Sequence, residues 1–450
     1  MNADLIAKYD GLRVPRYTSF PTAPHFGPRV QAGDYLAWLG RLPAGQELSL
    51  YFHVPFCKSM CWYCGCHTKI VARYDPIAEY LDLLMREIDL VADALPGAMP
   101  VRHVHFGGGT PTMIGSADFE RLMAHVRSRF DLVPGCEIAV EIDPRTLTLE
   151  APEALARAGV NRASLGVQDL DATVQSAINR VQPFEVTEAA VRALRRNGID
   201  SINLDLMYGL PHQTPESCEE SAERVMDLTP ERLAVFGYAH VPWMKKHQRL
   251  IDESVLADAR DRWKQFDAIA AVLADNGYHQ IGLDHFALEA DPITVAQRNG
   301  TLRRNFQGYT TDGADVLIGF GASSIGALPD GYVQNDPALE RYAEAVRAGR
   351  PPIVKGKRLS ADDRLRRDLI ERLMCDLSVD LDAVAARHGV ASDLFEPDLE
   401  KLAPLAADGL ARVDGHRITV PDEVRPLVRA VAAAFDPYLD TAAMRHSKAI

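Results

Sequence analysis

The stretch LSLYFHVPFCKSMCWYCGC, residues 48–66, joins a strand-like run to a loop that is rich in cysteine. Its first part alternates in polarity, carries aromatic and β-branched side chains and stops at Pro55, which is typical of a β-strand. Four cysteines then follow within ten residues, whereas the other three in the chain are scattered singly. The pattern predicts a strand that leads several thiol groups into one short loop. The loop cysteines are Cys57, Cys61, Cys64 and Cys66, and the scattered ones are Cys136, Cys218 and Cys375.

The spacing of the first three cysteines, C-x3-C-x2-C, suits a metal cluster better than a zinc ion. Structural zinc usually takes four ligands from two pairs, and the sequence has no second pair. Three thiolates on a four-iron cube leave one iron open for a substrate. The alternative is that these cysteines are small buried core residues, but Lys58, Trp62, Tyr63 and Gly65 lie between them. We therefore predict that this loop is the functional site.

From residue 48 onward, strand-like runs alternate with amphipathic helical runs. Six such pairs in succession predict an α/β fold with a parallel sheet wrapped by helices. Six pairs are too few for a closed eight-stranded barrel, so an open partial barrel and a doubly wound sheet both remain. The strand-like runs are 48–55, 102–106, 137–142, 162–167, 201–208 and 232–238, and the helical runs are 77–95, 117–130, 151–158, 187–197, 215–228 and 257–276.

The two ends of the chain differ from this central part, so we divide the chain into residues 1–45, 46–350 and 351–450. The first segment is rich in proline, arginine and aromatic residues and has no clear period. The last is mostly helical and contains a short polar hairpin, ARVDGHRITV, from residue 411. Three helices and a hairpin resemble a winged-helix module. Because no helix there carries a basic recognition face, we predict a lid or packing domain.

Composition favours a soluble enzyme of the cytoplasm. The 450 residues carry a net charge of −13, which disfavours a general nucleic-acid binder. No apolar run approaches the ~20 residues needed to cross a bilayer, and the N-terminus has no signal-like core. We expect neither nucleic-acid nor membrane binding, and a monomer by default. A local basic patch for an acidic ligand or redox partner stays open, with solvated surface charge as the alternative; its candidates are Lys245, Lys246, Arg303 and Arg304.

Further polar and glycine-rich signals lie where the other predicted strands end. The run GGGTPT, residues 107–112, follows the second strand, and its glycines would let backbone amides approach a polar ligand. Glu141 and Asp143 end the third strand, Gln168 ends the fourth, and Asp205 lies in the fifth. Loops at this end of parallel strands converge on one mouth, where carboxylates can hold ribose hydroxyls or an ammonium group. Taken singly, each signal also fits a tight turn or a structural salt bridge.

Together these motifs resemble a known family. The cysteine loop and the Gly-Gly-Gly-Thr-Pro turn are similar to those of radical S-adenosylmethionine enzymes. Six further segments, and the extra cysteine at position 66, resemble the oxygen-independent coproporphyrinogen III oxidases. The resemblance implies a partial (β/α)6 barrel with an N-terminal arm and a mostly helical, winged-helix-like C-terminal domain. The segments are PRYTSFPT from residue 15, EIDPR from 141, GVQDL from 166, DLMYGLPHQT from 205, YAHVP from 238 and RNFQGYTT from 304.

The resemblance also implies a reaction. Cys57, Cys61 and Cys64 would bind one [4Fe-4S] cluster whose open iron holds S-adenosylmethionine. Reductive cleavage would give a 5′-deoxyadenosyl radical that takes a hydrogen atom from the β-carbon of a substrate propionate. Loss of carbon dioxide and one electron would leave a vinyl group. Two such events convert coproporphyrinogen III to protoporphyrinogen IX, with a small redox donor such as flavodoxin or ferredoxin.

The family resemblance further implies a set of contacts, including a second S-adenosylmethionine. Cys66 would not bind the cluster but donate a hydrogen or pack beside it. From the chemistry of the side chains themselves, we expect Arg13 and Arg16 in the arm to pair with substrate propionates, since guanidinium binds carboxylate through two parallel hydrogen bonds. Phe306 and Gln307 would lie at the mouth. The first cofactor molecule would contact Tyr51, Gly108, Glu141, Ala239 and Ile325, and the second Tyr63, Gly109, Thr110, Gln168, Arg180 and Asp205.

Two other functions stay in view. A haem chaperone of the same superfamily shares the cysteine loop and the barrel, but it generally lacks the extra cysteine and the PRYTS arm. A transcriptional regulator would use the winged-helix-like end, but the acidic balance of the chain disfavours it. The oxidase is therefore the preferred interpretation, with the arm and the C-terminal domain covering the mouth to exclude water and oxygen.

Overall fold

The computed structural model describes residues 3–9 and 11–439. In this part of the chain, no helix combines the length and apolarity that crossing a membrane requires. The strands are β1 Leu48–Val54, β2 Phe56–Cys57, β3 Lys69–Ile70, β4 Pro100–Gly108, β5 Asp131–Ile142, β6 Arg162–Gln168, β7 Ser201–Tyr208, β8 Arg232–Gly237, β9 Tyr278–Ile281, β10 His285–Leu288, β11 Arg303–Asn305, β12 Gly308–Thr310, β13 Val316–Phe320, β14 Ile325–Leu328, β15 Gly331–Asn335, β16 Ile353–Arg358, β17 Ser378–Asp380, β18 Arg412–Asp414 and β19 Arg417–Thr419. The helices are α1 Ala3–Tyr9, α2 Ala32–Leu39, α3 Asp75–Ala94, α4 Ser116–Arg129, α5 Ala151–Arg157, α6 Ala172–Ala177, α7 Phe184–Arg196, α8 Pro215–Met226, α9 Ala259–Asp275, α10 Pro292–Arg298, α11 Leu339–Arg347, α12 Ala361–Asp376, α13 Leu381–His388, α14 Glu396–Ala407 and α15 Val428–Ala433.

The central feature is a twelve-stranded sheet in the order β16-β15-β14-β13-β1-β4-β5-β6-β7-β8-β10-β9. The six predicted strands are β1 and β4 to β8, and each lies parallel to the next one along the chain. A doubly wound sheet reverses its strand order at a switch point. This sheet does not reverse among those six, so the units curl in one direction as a partial barrel. The predicted fold class is confirmed.

The barrel strands separate an apolar outer face from a polar inner face. Leu50, Phe52 and Leu204 are at most 1% exposed and pack in the layer under the helices. Neighbouring positions such as Tyr51 and Asp205 alternate with them and are only half-buried. Parallel strands covered on both faces are usually apolar throughout. The alternation therefore indicates that the inner face lines a polar lumen, which is suited to hold ligands.

Both edges of the barrel are extended by strands that the helical and strand-like periodicities did not predict. β13 pairs parallel with β1, and β14 to β16 continue antiparallel from it. On the other side β10 and β9 pair antiparallel beyond β8. These strands have four to six residues each, too few for a clear period. β16 and β9 stand at opposite ends of the order, so the barrel is open between them.

The C-terminal region matches the predicted mixture of helices and a hairpin. β18 and β19 form the expected hairpin, and β17 adds a third strand antiparallel to β19. α12 begins with a capping box at Ser360 and buries Leu369 and Leu373 completely. Helices α12 and α13 pack against β17, and α15 packs against α12 and α14. The arrangement confirms a mostly helical, winged-helix-like region, of which residues 440–450 lie outside the described residues.

The N-terminal segment contains two helices, α1 and α2, that its composition did not predict. Between them the chain is held by irregularly spaced aromatic anchors. The hydroxyl of buried Tyr17 donates to Asp436 Oδ2 at 3.0 Å. Tyr332 donates to the carbonyl of Phe20 at 3.1 Å. The arm thus connects the C-terminal region to the β13–β16 side of the barrel, and its order comes from tertiary contacts rather than from a sequence period.

Candidate active site

The cysteine loop begins at the end of β2 and returns through β3, which pairs with β2. The loop thiols are free: Cys61 is buried, Cys57 and Cys64 are half-buried, and Cys66 is exposed. Among the described residues, no three His, Cys, Asp or Glu side chains converge as ligands of one metal ion do. A cube with iron at its corners needs one sulfur at each bound corner, so its thiol groups need not converge on a point.

Two arginines give the Cys61 sulfur a positively charged environment. Arg145 Nη2 donates to Cys61 Sγ at 3.3 Å, and Arg180 Nη1 donates to the same sulfur at 3.6 Å. Asp143 lies beside both arginines, with Oδ2 2.6 Å from Arg145 Nη2. Such donors stabilise negative charge on a thiolate and on a cluster that it binds. The donor set therefore fits an anionic iron–sulfur cluster, and Arg145 is a site residue to which the sequence gave no role.

The backbone of the cysteine loop is fixed by side chains from distant parts of the chain. Asn179 Nδ2 donates to the carbonyl of Met60 at 2.8 Å. Lys245 Nζ donates to the carbonyl of Cys66 at 2.8 Å, and His247 Nε2 lies 2.7 Å from that of Cys64. Gln248 Nε2 donates to the carbonyl of Tyr63 at 2.9 Å and to that of Ala239 at 3.2 Å. These contacts hold the loop against the segment that follows β8. The sequence gave no sign of them, except for Lys245 as a surface cation.

The lumen next to the loop contains a continuous polar network. Tyr51 and His53 share a 3.0 Å hydrogen bond at Nδ1, while His53 Nε2 lies 3.0 Å from the carbonyl of His67. Burial lowers the pKa of His53 to about 4, so the ring is neutral at pH 7. Since a carbonyl only accepts, Nε2 carries the proton and Nδ1 accepts from Tyr51. Tyr51, a predicted cofactor contact, is thus joined through His53 to the cysteine loop.

Glu141 is the ionised group of this network. Burial raises its pKa, but hydrogen bonds from His105 and the Gly108 amide outweigh burial and leave the pKa below its ordinary value. The carboxylate is 41% exposed to the lumen. At pH 7 it is therefore a hydrogen-bond acceptor of the kind that suits hydroxyl or ammonium groups.

The glycines of the turn that follows β4 allow neighbouring parts of the protein to pack closely against its backbone. A Cβ on Gly108, whose φ is +109°, would lie 2.4 Å from the His53 ring, and one on Gly109 would lie 2.6 Å from the carbonyl oxygen of Phe56. The amides of Gly108, Gly109 and Thr110 already donate to acceptors of the chain. Our expectation that these amides stay available to a ligand is not what the structure shows. Contact with a ligand would use their carbonyl oxygens or bare Cα atoms.

We expect Gly108→Ala to lower the free energy of unfolding by about 2–4 kcal/mol, because the new methyl group meets His53 and the positive φ disfavours alanine. Urea denaturation measures this loss. Gly65→Ala is the matched control, since a Cβ at Gly65 meets no atom within 4 Å. Equal midpoints for the two variants would contradict the packing argument.

The surroundings of Asp205 raise the pKa of its carboxyl group, so that the group is only partly ionised at pH 7. Burial is the main cause that raises its pKa to about 7, and the charge of Glu141 adds to it. Asn203 Nδ2 donates to its Oδ1 at 2.7 Å, and Ser164 lies 3.3 Å away. A group of this kind changes charge near neutral pH. A cationic ligand in the lumen would favour its ionised form.

The raised pKa of Asp205 predicts a pH-dependent stability. The unfolded carboxyl ionises near pH 4 and the folded one only near pH 7, so its contribution is present below pH 4 and is lost as pH rises to 7. Asp205→Asn keeps the hydrogen-bonding pattern of the protonated acid. We expect ligand-free Asp205→Asn to unfold at higher temperature than the wild type at pH 8, and at a similar temperature at pH 4. Identical differences at the two pH values would contradict this.

A cavity of about 450 Å³ lies beside the segment that Gln248 ties to the cysteine loop. Ala239 is part of its wall, as are Glu253 and Asp284. Its wall also has five arginines, which come from the arm, α9, β11 and α15. Within the described residues, Nε and Nη1 of Arg304 have no hydrogen-bond partner. The excess of guanidinium over carboxylate predicts an anionic ligand. The five are Arg13, Arg16, Arg262, Arg304 and Arg429.

The remaining candidates are distributed around these features. Gln168 ends β6 with φ at +72°, and Thr110 Oγ1 donates to Cys57 Sγ at 3.5 Å. Ile325 and Phe306 lie at an apolar cluster beside the barrel. Gln307 lies in the turn between β11 and β12, where its backbone N–H donates to Asn305 Oδ1. It is not part of the wall of the arginine-lined cavity.

The structure separates the proposed basic patch into different surroundings. Lys245 and Lys246 lie beside the cysteine loop. Arg303 pairs with Glu371 at 3.0 Å, and Arg304 stacks on the ring of Tyr309 and faces the cavity. The four residues therefore do not form a single patch, because the chain between positions 246 and 303 crosses the edge of the barrel.

Comparison with known proteins decides the family. Residues 51–225 match the model of the radical SAM superfamily, and residues 359–427 match that of the HemN C-terminal domain. The oxygen-independent coproporphyrinogen III oxidase of Bradyrhizobium diazoefficiens is 54% identical over 450 residues, which is 100% of each chain. The chain belongs to the oxygen-independent coproporphyrinogen III oxidases. The Escherichia coli family member is 40% identical, with 97% of this chain and 95% of that protein covered.

A solved structure supports the same family. Coproporphyrinogen III oxidase from Escherichia coli, described as a radical SAM enzyme, superposes with a TM-score of 0.91 at 39% identity. The match covers 95% of this chain and 100% of that one. The resemblance found in the motifs is thereby confirmed. The chain is a radical SAM oxidoreductase, a class that uses a [4Fe-4S] cluster and S-adenosylmethionine, and the oxidase is supported over the haem chaperone.

Proposed function

We propose that this oxidase converts coproporphyrinogen III to protoporphyrinogen IX by oxidative decarboxylation of two propionates, with one cluster and two S-adenosylmethionine molecules. The observation that supports it is the contact of the cysteine loop with the arginine-lined cavity. The Gln248 side chain bonds the carbonyls of Tyr63 in the loop and Ala239 in the cavity wall. A radical formed at the loop would therefore arise next to an anion-binding pocket.

Cys57, Cys61 and Cys64 would hold the cluster, with Arg145 and Arg180 balancing its negative charge at Cys61. When bound and reduced, the cluster supplies the electron that cleaves S-adenosylmethionine to methionine and the 5′-deoxyadenosyl radical. Asn179, His247 and Lys245 keep the loop backbone in place. Cys66 is the exposed cysteine of the loop, and we propose that it stays outside the ligand set.

The lumen groups would hold the two cofactor molecules. For the first, the ionised Glu141 offers an acceptor to ribose or ammonium groups, and Tyr51 lies on the same network. Gly108, Ala239 and Ile325 complete this set. For the second, Asp205 and Gln168 face the lumen from β7 and β6. Tyr63, Gly109, Thr110 and Arg180 border the cysteine loop and complete the second set.

The arginine-lined cavity would hold the substrate. Coproporphyrinogen III carries four propionates, and each carboxylate suits a guanidinium group. Burial and the charges of Arg16 and Arg304 lower the pKa of Arg429 to about 10. An anionic ligand would relieve this repulsion. Since Arg16 comes from the arm and Arg429 from α15, substrate binding would draw the N-terminal and C-terminal regions over the mouth and exclude water from the radical.

The decisive experiment is anaerobic reconstitution with iron and sulfide, followed by an assay with coproporphyrinogen III, S-adenosylmethionine, dithionite as electron donor, and a one-electron acceptor for the electron that each decarboxylation releases. We expect two carbon dioxide molecules and one protoporphyrinogen IX per substrate, together with 5′-deoxyadenosine. Haem retention without carbon dioxide release would instead support the chaperone function. Equilibrium binding of S-adenosylmethionine would give its number per chain. Cytoplasmic location, a monomeric state and the lack of nucleic-acid binding remain predictions for fractionation, size-exclusion chromatography and a gel shift.

A further inference from the structure

The surface around the exposed side of the cysteine loop is basic, although the whole chain has a net charge of −13. Two segments meet there, residues 58–74 and residues 241–251. Together they contain six lysines and arginines and no aspartate or glutamate, while Asp75 follows the first segment directly and Asp252 and Glu253 follow the second. Lys245 and His247 of the second segment bond the carbonyls of Cys66 and Cys64 in the first, so the two segments form one surface. We call it the basic surface; its cations are Lys58, Lys69, Arg73, Lys245, Lys246 and Arg249.

The basic surface also has apolar side chains that solvent reaches. Met244 is 67% exposed, Leu250 59% and Ile70 40%. Most of the cations around them are exposed, and so are Gly65, Cys66 and His67 in the loop itself. Exposed apolar groups with a charged rim are characteristic of protein interfaces. The arginine-lined cavity is a separate feature, since none of the six cations of the basic surface is part of its wall.

We propose that the basic surface docks a small acidic one-electron carrier protein. The inference rests on the proposed function, because that reaction needs an electron at the cysteine loop. The carrier loses one electron and the cluster bound by the three cysteines gains it, with no atom transferred. An acidic carrier is repelled by most of this acidic chain. A local basic surface beside the loop would therefore steer it to the one place where transfer is useful.

The test measures binding directly, with an oxidised acidic flavodoxin as the probe and the as-isolated chain as the target. Lys69, Lys246 and Arg249 are exposed and lie outside the proposed ligand sets. We expect the triple variant Lys69→Glu, Lys246→Glu, Arg249→Glu to weaken binding at least about tenfold at low salt. Added salt should weaken wild-type binding in the same direction. The matched control is the triple variant Lys401→Glu, Arg412→Glu, Arg417→Glu, which changes the net charge equally at exposed residues of the C-terminal region and should bind as the wild type does.

A second readout separates this inference from the proposed function. Reduced flavodoxin should reduce the reconstituted variant of the basic surface more slowly, whereas dithionite should support equal 5′-deoxyadenosine formation in variant and wild type. Unchanged flavodoxin binding by the variant of the basic surface would overturn the inference, as would equal weakening by the control variant of the C-terminal region. Binding of duplex DNA or anionic vesicles in preference to flavodoxin would also overturn it. Absence of 5′-deoxyadenosine with dithionite in the wild type would instead count against the proposed function.

Discussion

Replacement of Cys57, Cys61 or Cys64 by serine is expected to abolish both 5′-deoxyadenosine and carbon dioxide formation. Each of these residues would supply one of the three thiolates that hold the cluster, and a serine hydroxyl is a far weaker ligand for iron. The loss should be complete rather than graded, because the loop has no spare ligand in the proposed set. Iron and sulfide analysis after anaerobic reconstitution, with the visible and electron paramagnetic resonance spectra, should show the cluster missing or unstable.

Cys66→Ser is the matched control within the same loop. Because Cys66 is proposed to lie outside the ligand set, its variant should keep the iron content of the wild type, and any loss of activity would then reflect a later step. Cys218→Ser, at a buried position of helix α8, controls for the loss of a thiol elsewhere. A Cys61→Ser variant with full iron content and normal product yield would exclude Cys61 as a ligand. Zinc in place of iron in the wild type would exclude the radical chemistry altogether.

Arg16→Ala is expected to raise the KM for coproporphyrinogen III by about 10- to 100-fold, the effect of losing one charge-assisted carboxylate contact in a partly enclosed cavity. Arg16 is exposed toward the cavity, while Val14 and Tyr17 on either side of it are buried and anchor the arm. Steady-state kinetics at several substrate concentrations would separate KM from kcat. Arg16→Lys should recover part of the affinity, since it keeps the charge but not the two-point geometry.

Arg29→Ala provides the comparison for the arm. Arg29 is exposed on the same segment and is not part of the cavity wall, so its removal should leave KM unchanged. In the absence of substrate, both variants should contain as much cluster as the wild type and should cleave S-adenosylmethionine normally. This result would separate substrate binding from cofactor binding. If Arg16→Ala has the KM and turnover of the wild type, the arm has some other task and propionate recognition must lie elsewhere in the cavity.

The strand-then-helix units could be predicted because their signals are local. The apolar spacing within residues 77–95 or 187–197 reports how a short segment buries one face, and the structure has helices α3 and α7 there. The edge strands β9, β10 and β13 to β16 were not predicted. Each is short, and each is stabilised mainly by the neighbour with which it pairs. The arm helices were missed for the related reason that their anchors lie far away in the chain.

The residues of the candidate site also divide into those that the sequence predicted and those that only the structure revealed. The cysteine spacing, the strand-end positions of Glu141 and Gln168, and the position of Asp205 within its strand could be recognised from the sequence. The role of Arg145 could not, since only folding brings it within 3.3 Å of the Cys61 sulfur. The sequence also grouped Arg304 with Lys245 as one basic patch, whereas the structure places one at the cavity and the other at the cysteine loop.

By itself, the sequence determined the order of the elements, the thiol groups offered by the loop and, through its motifs, the family. Only the tertiary structure decided that the sheet curls into an open barrel, that five arginines from four separate elements or segments surround one cavity, and that residues 245–248 hold the cysteine loop. The physical reason is the distance along the chain between the residues that interact. Periodicity and spacing are set by interactions between near neighbours in the chain. The charge environment of Cys61, the basic surface and the anchoring of the arm instead depend on contacts between residues that are 84 to 419 positions apart.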